Sequence, residues 1–173
     1  MVFSYYKKLS AAQKRVYQRS DSIISVPLPG ADALQPLIPP LASALIKEDR
    51  EEVEDLCRKL ALGITSRLSI PPLRIKVLAV RPSASWGELH GLYEPAEGRA
   101  SAIITLWMRT AKHRRMVAFR SFLRTLLHEL CHHLDYELYR LPDSFHTEGF
   151  YKRESSLFHQ LLPEKQRPTA ADK

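Results

Sequence analysis

The residues best equipped for chemistry are His128-Glu129-Leu130-Cys131-His132, the HExxH pattern, set within the most helical stretch of the chain. At about 100° per residue, four positions bring His132 back to within about 40° of His128, one turn further on. Both imidazoles therefore reach one cation from the same helix face. Glu129 projects about 100° to one side, which sets its carboxylate over a solvent ligand of the ion. Zinc suits such a donor set, because imidazole is a good borderline ligand and the ion lowers the pKa of bound water to about 7. The expected reaction is amide hydrolysis, with Glu129 as general base and then as acid toward the leaving amine.

A third ligand is needed, and two residues compete for the place. The metzincin pattern would put glycine at position 135 and histidine at 138, but the chain has Asp135 and Leu138. His146 and Glu154 remain. On a continuous helix their eight-residue separation spans about 12 Å, too far for both to bind one ion of about 2 Å reach. Glu154 shares a stripe with Phe150, Leu157 and Leu161, so it points inward as ligand, as acceptor for a ligating imidazole, or as half of a structural ion pair.

These residues must be held by elements whose periodicity is legible. Leu126, Leu130, Leu134 and Leu138 fall four apart within a helix expected over Val117 to Arg140, and a last helix runs from Thr147 to Leu162. Leu73 to Val80 begins with strand alternation, and Trp86 to Tyr93 and Ala100 to Met108 are two more strand candidates around the turn Glu94 to Gly98. One or two amphipathic helices are expected between Leu37 and Leu68, and a modest one over Leu9 to Ile24. Val26-Pro27-Leu28-Pro29-Gly30 cannot continue a helix. The expected class is α+β, with a small, mostly antiparallel sheet of about three strands packed on the motif helix. Residues 1–35 read as an N-terminal arm, 36–162 as the domain and 163–173 as a polar tail.

With 173 residues, 45% of them hydrophobic, a wholly disordered chain is excluded and one compact domain is expected. No apolar run approaches the roughly 18 residues of a membrane span, and Tyr5, Tyr6, Lys7 and Lys8 interrupt any signal-peptide core. A soluble, cytoplasmic protein with free Cys57 and Cys131 is the expectation. The net charge of +7 includes Arg109, Lys112, Arg114, Arg115, Arg120 and Arg124 just before the motif, with His113 lying among them. These could meet phosphates, while Arg120 and Arg124, on one row with His128, are candidates to position a substrate carbonyl or carboxylate. Tyr93, Tyr136, Tyr139 and Tyr151 are candidate oxyanion donors, with packing as their ordinary role.

Together, His128-Glu129-Leu130-Cys131-His132 and His146-Thr147-Glu148-Gly149-Phe150 resemble the SprT-like metalloproteases, whose pattern is HExxH followed by HGxxF. The resemblance spans roughly Leu73 to Leu162 and includes Gly91-Leu92-Tyr93 and Ile103 to Leu106. It implies a zincin fold with a small mixed sheet, substrate along an edge strand, and His146 as the third ligand. Thr147 replaces the family's glycine, and the paired CxxC motifs of a C-terminal zinc ribbon are missing, so one zinc ion is expected. Spartan-like members cleave proteins crosslinked to DNA using elements outside the catalytic domain. The basic residues before the motif motivate the alternative to a peptidase acting on protein or peptide, a nucleic-acid-associated module whose zinc is structural or whose peptidase is latent.

Overall fold

The computed structural model describes residues 2–85 and 87–164. Most of the polar tail, and Trp86 at the head of one strand candidate, lie outside the described residues. The chain is α+β, with α1 (Ala11–Ser22), α2 (Ile38–Ile46), α3 (Arg50–Arg67), α4 (Phe119–Glu137) and α5 (Glu148–Leu161) around a small sheet. The strands are β1 (Arg74–Val80), β2 (Ser83–Ala84), β3 (Gly87–Glu88), β4 (Gly91–Glu94) and β5 (Ile103–Arg109), of which β2 and β3 pair apart from the sheet.

Local chemistry explains most helix starts. Ser10 and Gln13 form a reciprocal capping box on α1, Asp49 accepts the Glu52 amide at the start of α3, and Thr147 accepts the Phe150 amide at 2.9 Å to start α5. Thr147 is thus the cap that starts α5 directly after His146. Of the one or two helices expected between Leu37 and Leu68 there are two, broken where Glu48 takes φ 58°.

The sheet order is β1-β5-β4, with β1 parallel to β5 and β4 antiparallel to it. The sheet is therefore mixed, which corrects the mostly antiparallel expectation. A parallel pair needs a crossover of a dozen or more residues, normally recognised by its helix. Here residues 81–102 make that crossover without one, carrying the β2–β3 pair and β4 instead. The expected strand over Trp86 to Tyr93 is split for the same reason, since β3 turns back on β2 before β4 joins the sheet.

One sheet face carries Ile75 and Val77 of β1 with Ile104, Leu106 and Met108 of β5, all buried in the core. Against it pack α3, chiefly along β1, and α4, across β4 and β5. Leu123, Leu126, Leu127, Leu130 and Leu134 of α4 are fully buried there. Register places Gly91 opposite Leu106 and Tyr93 opposite Ile104, so both face α4. The segment before α2 is also bound in: Val26, Leu28 and Leu34 belong to the same core. Both cysteines are buried free thiols, and burial pushes their pKa values up. Among the described residues no helix is long and apolar enough to cross a membrane.

Candidate metal centre

The apolar row of α4 points into the core, which turns His128 and His132 toward a cleft of about 690 Å³ between α4, β4 and the loop before α5. His146, from that loop, completes a group of three. Its Nε2 lies 3.0 Å from His128 Nε2 and 3.0 Å from His132 Nε2. All three ligand atoms fall within 4.8 Å of one another.

Proton placement shows what this group is suited to hold. His128 Nδ1 lies 3.1 Å from Glu154 Oε2, and an ionised carboxylate only accepts, so Nδ1 carries the hydrogen. His132 Nδ1 lies 2.7 Å from Ser144 Oγ, whose one hydroxyl hydrogen is donated to Asp135 Oδ2 at 2.7 Å. Ser144 must then accept from His132, whose Nε2 is left as a bare lone pair. A hydrogen on His146 Nε2 satisfies at most one of its two 3.0 Å contacts, so at least one Nε2 lone pair is left without a hydrogen. A shared cation relieves this. A tetrahedral ion at about 2.0–2.1 Å from each nitrogen requires separations near 3.3 Å, only a few tenths beyond the two that His146 makes. His128, His132 and His146 could therefore bind a metal ion.

The electrostatics favour the ligand form. Burial, reinforced by the neighbouring imidazoles, lowers the His132 pKa to about 3, and burial with His128 lowers that of His146 to about 4. Both rings are neutral at pH 7, as metal ligation needs.

Glu129 lines the same cleft and is 7% exposed. Burial raises its pKa to about 7, against the lowering influence of His128 and of a hydrogen bond from the Tyr93 backbone. Its place beside β4 depends on Gly91, where an added Cβ would sit 2.7 Å from Glu129 Oε1 and 2.8 Å from Thr125 Cγ2. Glu154 touches the far side of the His128 ring from His146, and its other oxygen accepts from Arg124 Nη1 at 3.3 Å. The two residues that competed for one ion thus flank a single imidazole.

Arg124 lines the cleft with its guanidinium 4.0 Å from the Phe158 ring centroid, whereas Arg120 lies over the same ring and is not among the residues lining the cleft. Of the tyrosines, Tyr93 is committed: His133 Nε2 donates to the Pro71 carbonyl at 2.8 Å, so its Nδ1 accepts from Tyr93 Oη at 3.0 Å. Tyr136 lines the cleft, Tyr151 stands beside the His128 and His146 rings, and Tyr139 packs under Arg153. His90 lines the cleft outside the three-histidine group.

Sequence reasoning missed Ser144, Gly91 and Arg153. Arg153 left one signal, its place three residues after Phe150 on the inward side of α5. Gly91 figures only within the family resemblance, with no role, and Ser144 left no signal, since each matters only through a residue distant in sequence. Comparison with protein-family models, curated proteins and solved structures finds no match for this chain.

Proposed function

We propose that this chain is a zinc-dependent metallopeptidase with a zincin-like arrangement, in which His128, His132 and His146 hold one zinc ion and Glu129 moves the proton. The observation that carries the reading is the convergence of three imidazole Nε2 atoms beside a buried glutamate in an open cleft. When bound there, zinc supplies a Lewis acid for the scissile carbonyl and makes a water molecule acidic enough to ionise near neutral pH. The chain's own groups do the rest. Glu129 takes a proton from the attacking water as the new C–O bond forms, and returns it to the amine as the C–N bond breaks. Glu154 and the Ser144–Asp135 pair keep Nδ1 of His128 and His132 protonated, so that both Nε2 atoms stay available.

Among the described residues strand β4 is paired on one side only, and Gly91, Leu92 and Tyr93 line the cleft. An extended peptide fits as an added strand along that edge, which makes unfolded or flexible protein the substrate class. The test is cleavage of an unfolded polypeptide by protein reconstituted with one equivalent of zinc. Cleavage should stop with a chelator and return with zinc. Alanine at His128, His132 or His146 should reduce bound zinc, measured by plasma emission after dialysis, from about one equivalent to near zero. Full zinc content in all three variants would remove the proposed centre.

A nucleic-acid-associated role has one observation in its favour: Lys112, His113 and Arg115 line a second cavity of about 590 Å³. A purely structural zinc fits less well, because such sites are closed by four protein ligands and the group found among the described residues has three. Fluorescence anisotropy with single- and double-stranded DNA at two salt concentrations decides the point, and no binding at low salt removes this role.

A further inference from the structure

The N-terminal segment reaches the metal centre from behind. Asp135, which holds Ser144 against His132, accepts through Oδ1 from Arg153 Nη2 at 2.8 Å. Arg153 is fully buried, and its other hydrogen bonds leave α4. Nη1 donates to the Ser20 and Ile23 carbonyls, each at 2.6 Å, and Nη2 donates to Ser20 Oγ at 3.0 Å. These acceptors belong to the C-terminal end of α1, where helical carbonyls lack intrahelical partners and a cation is favoured. A continuous path of four polar side chains therefore runs from His132 through Ser144, Asp135 and Arg153 to the end of α1.

A second path reaches His146. Tyr5 Oη donates to the His146 carbonyl at 2.8 Å, and the Gly149 amide donates to Asp21 Oδ1 at 3.0 Å. Thr147, the residue after His146, brings its Oγ1 within 3.4 Å of Ser20 Oγ. The backbones meet so closely that a Cβ on Gly149 would sit 2.3 Å from the Asp21 carbonyl oxygen. None of the residues lining the cleft comes from this segment.

We infer that residues 5–23 form the rear wall of the metal centre, with Arg153 and Tyr5 as positioning residues for His132 and His146, so that docking of this segment and metal binding are coupled. The inference rests on the three-histidine group taking a divalent ion and is independent of peptidase activity. Its physical basis is that both ligand-bearing pieces, the end of α4 and the loop before α5, are tied to the same short segment. Undocking it frees the rotamer of one ligand and the backbone of the other. Coupling of this kind is reciprocal, so metal must strengthen docking by the same factor by which docking strengthens metal binding.

The test uses the full chain with Co²⁺, whose visible absorption reports ligation, and then Zn²⁺ by competition. Gly149→Ala pushes α1 away without altering a ligand or a member of the polar path, and Tyr5→Phe removes only the hydroxyl that donates to the His146 carbonyl and keeps the ring. Folded Gly149→Ala should bind about tenfold or more weakly, in the range found when groups behind metal ligands are removed, and Tyr5→Phe several-fold more weakly. Saturating zinc should slow hydrogen exchange of the amides of residues 11–22 in the wild type. Should Gly149→Ala not fold, Tyr5→Phe and the exchange measurement decide. Cobalt affinity within twofold of wild type in every folded variant, or unchanged exchange in α1 at saturating zinc, overturns the inference while leaving the metal centre intact. If the wild type binds neither ion, it is the metal centre that fails.

Discussion

Glu129→Gln is expected to lower peptide cleavage by about 10²- to 10⁴-fold, the usual contribution of a positioned general base, while zinc content stays at the wild-type level. Glutamine keeps the shape of the side chain in the space that Gly91 leaves open, so neither the cleft nor the imidazoles need move. It cannot take up and return a proton. Glu129 is suited to that task because burial raises its pKa to about 7, close to working pH, where a group both accepts and releases protons readily. Single-turnover cleavage with parallel metal analysis checks the result. Wild-type cleavage by a zinc-loaded variant would assign the proton transfer to another group, and loss of zinc with activity would give Glu129 a structural part instead.

The second large effect concerns stability. Asp135→Ala is expected to cost about 3–5 kcal/mol, because it strands the buried Arg153 guanidinium. Both side chains are 0% exposed and 2.8 Å apart. Burial alone raises the Asp135 pKa, and Arg153 with Ser144 opposes the rise by holding the carboxylate ionised. For a chain of this size each kcal/mol lowers Tm by about 2–4 °C, so a fall of roughly 6–20 °C is expected in calorimetry of the metal-free protein. The Asp135→Leu, Arg153→Met double variant should be distinctly more stable than Asp135→Ala, since two uncharged residues leave no stranded charge. A single variant that melts within about 2 °C of wild type would mean that the surrounding carbonyls alone satisfy Arg153.

These two expectations differ in how they could be reached. Glu129 is identified from five consecutive residues, because covalent geometry sets i and i+4 on one helix face wherever the helix lies. Leucines four apart on α4 likewise announce which side is buried and hence which side bears the histidines. Capping residues such as Ser10 and Asp49 act within three residues of themselves, so helix starts are equally local.

Nothing local links Asp135 to Arg153, Ser144 to His132, or Tyr5 to His146. Those contacts exist because α5 packs on α4 and α1 packs on α5, and the choice of neighbours depends on shape and burial summed over the whole core. The competition between His146 and Glu154 shows the boundary clearly. Helix arithmetic shows that the two cannot share one ion, but only the packed loop before α5 puts His146 on the Nε2 side of His128 and Glu154 on its Nδ1 side. The mixed sheet belongs to the same category, since strand alternation specifies which residues face inward but not which strand lies beside which. The amino-acid order by itself thus determined the turn that sets two imidazoles on one face, its neighbouring carboxylate and the periodicity that presents them. Tertiary structure decided the third imidazole, the hydrogen-bond partners of all three rings and the wall behind them, because each depends on contacts between segments that local periodicity does not encode.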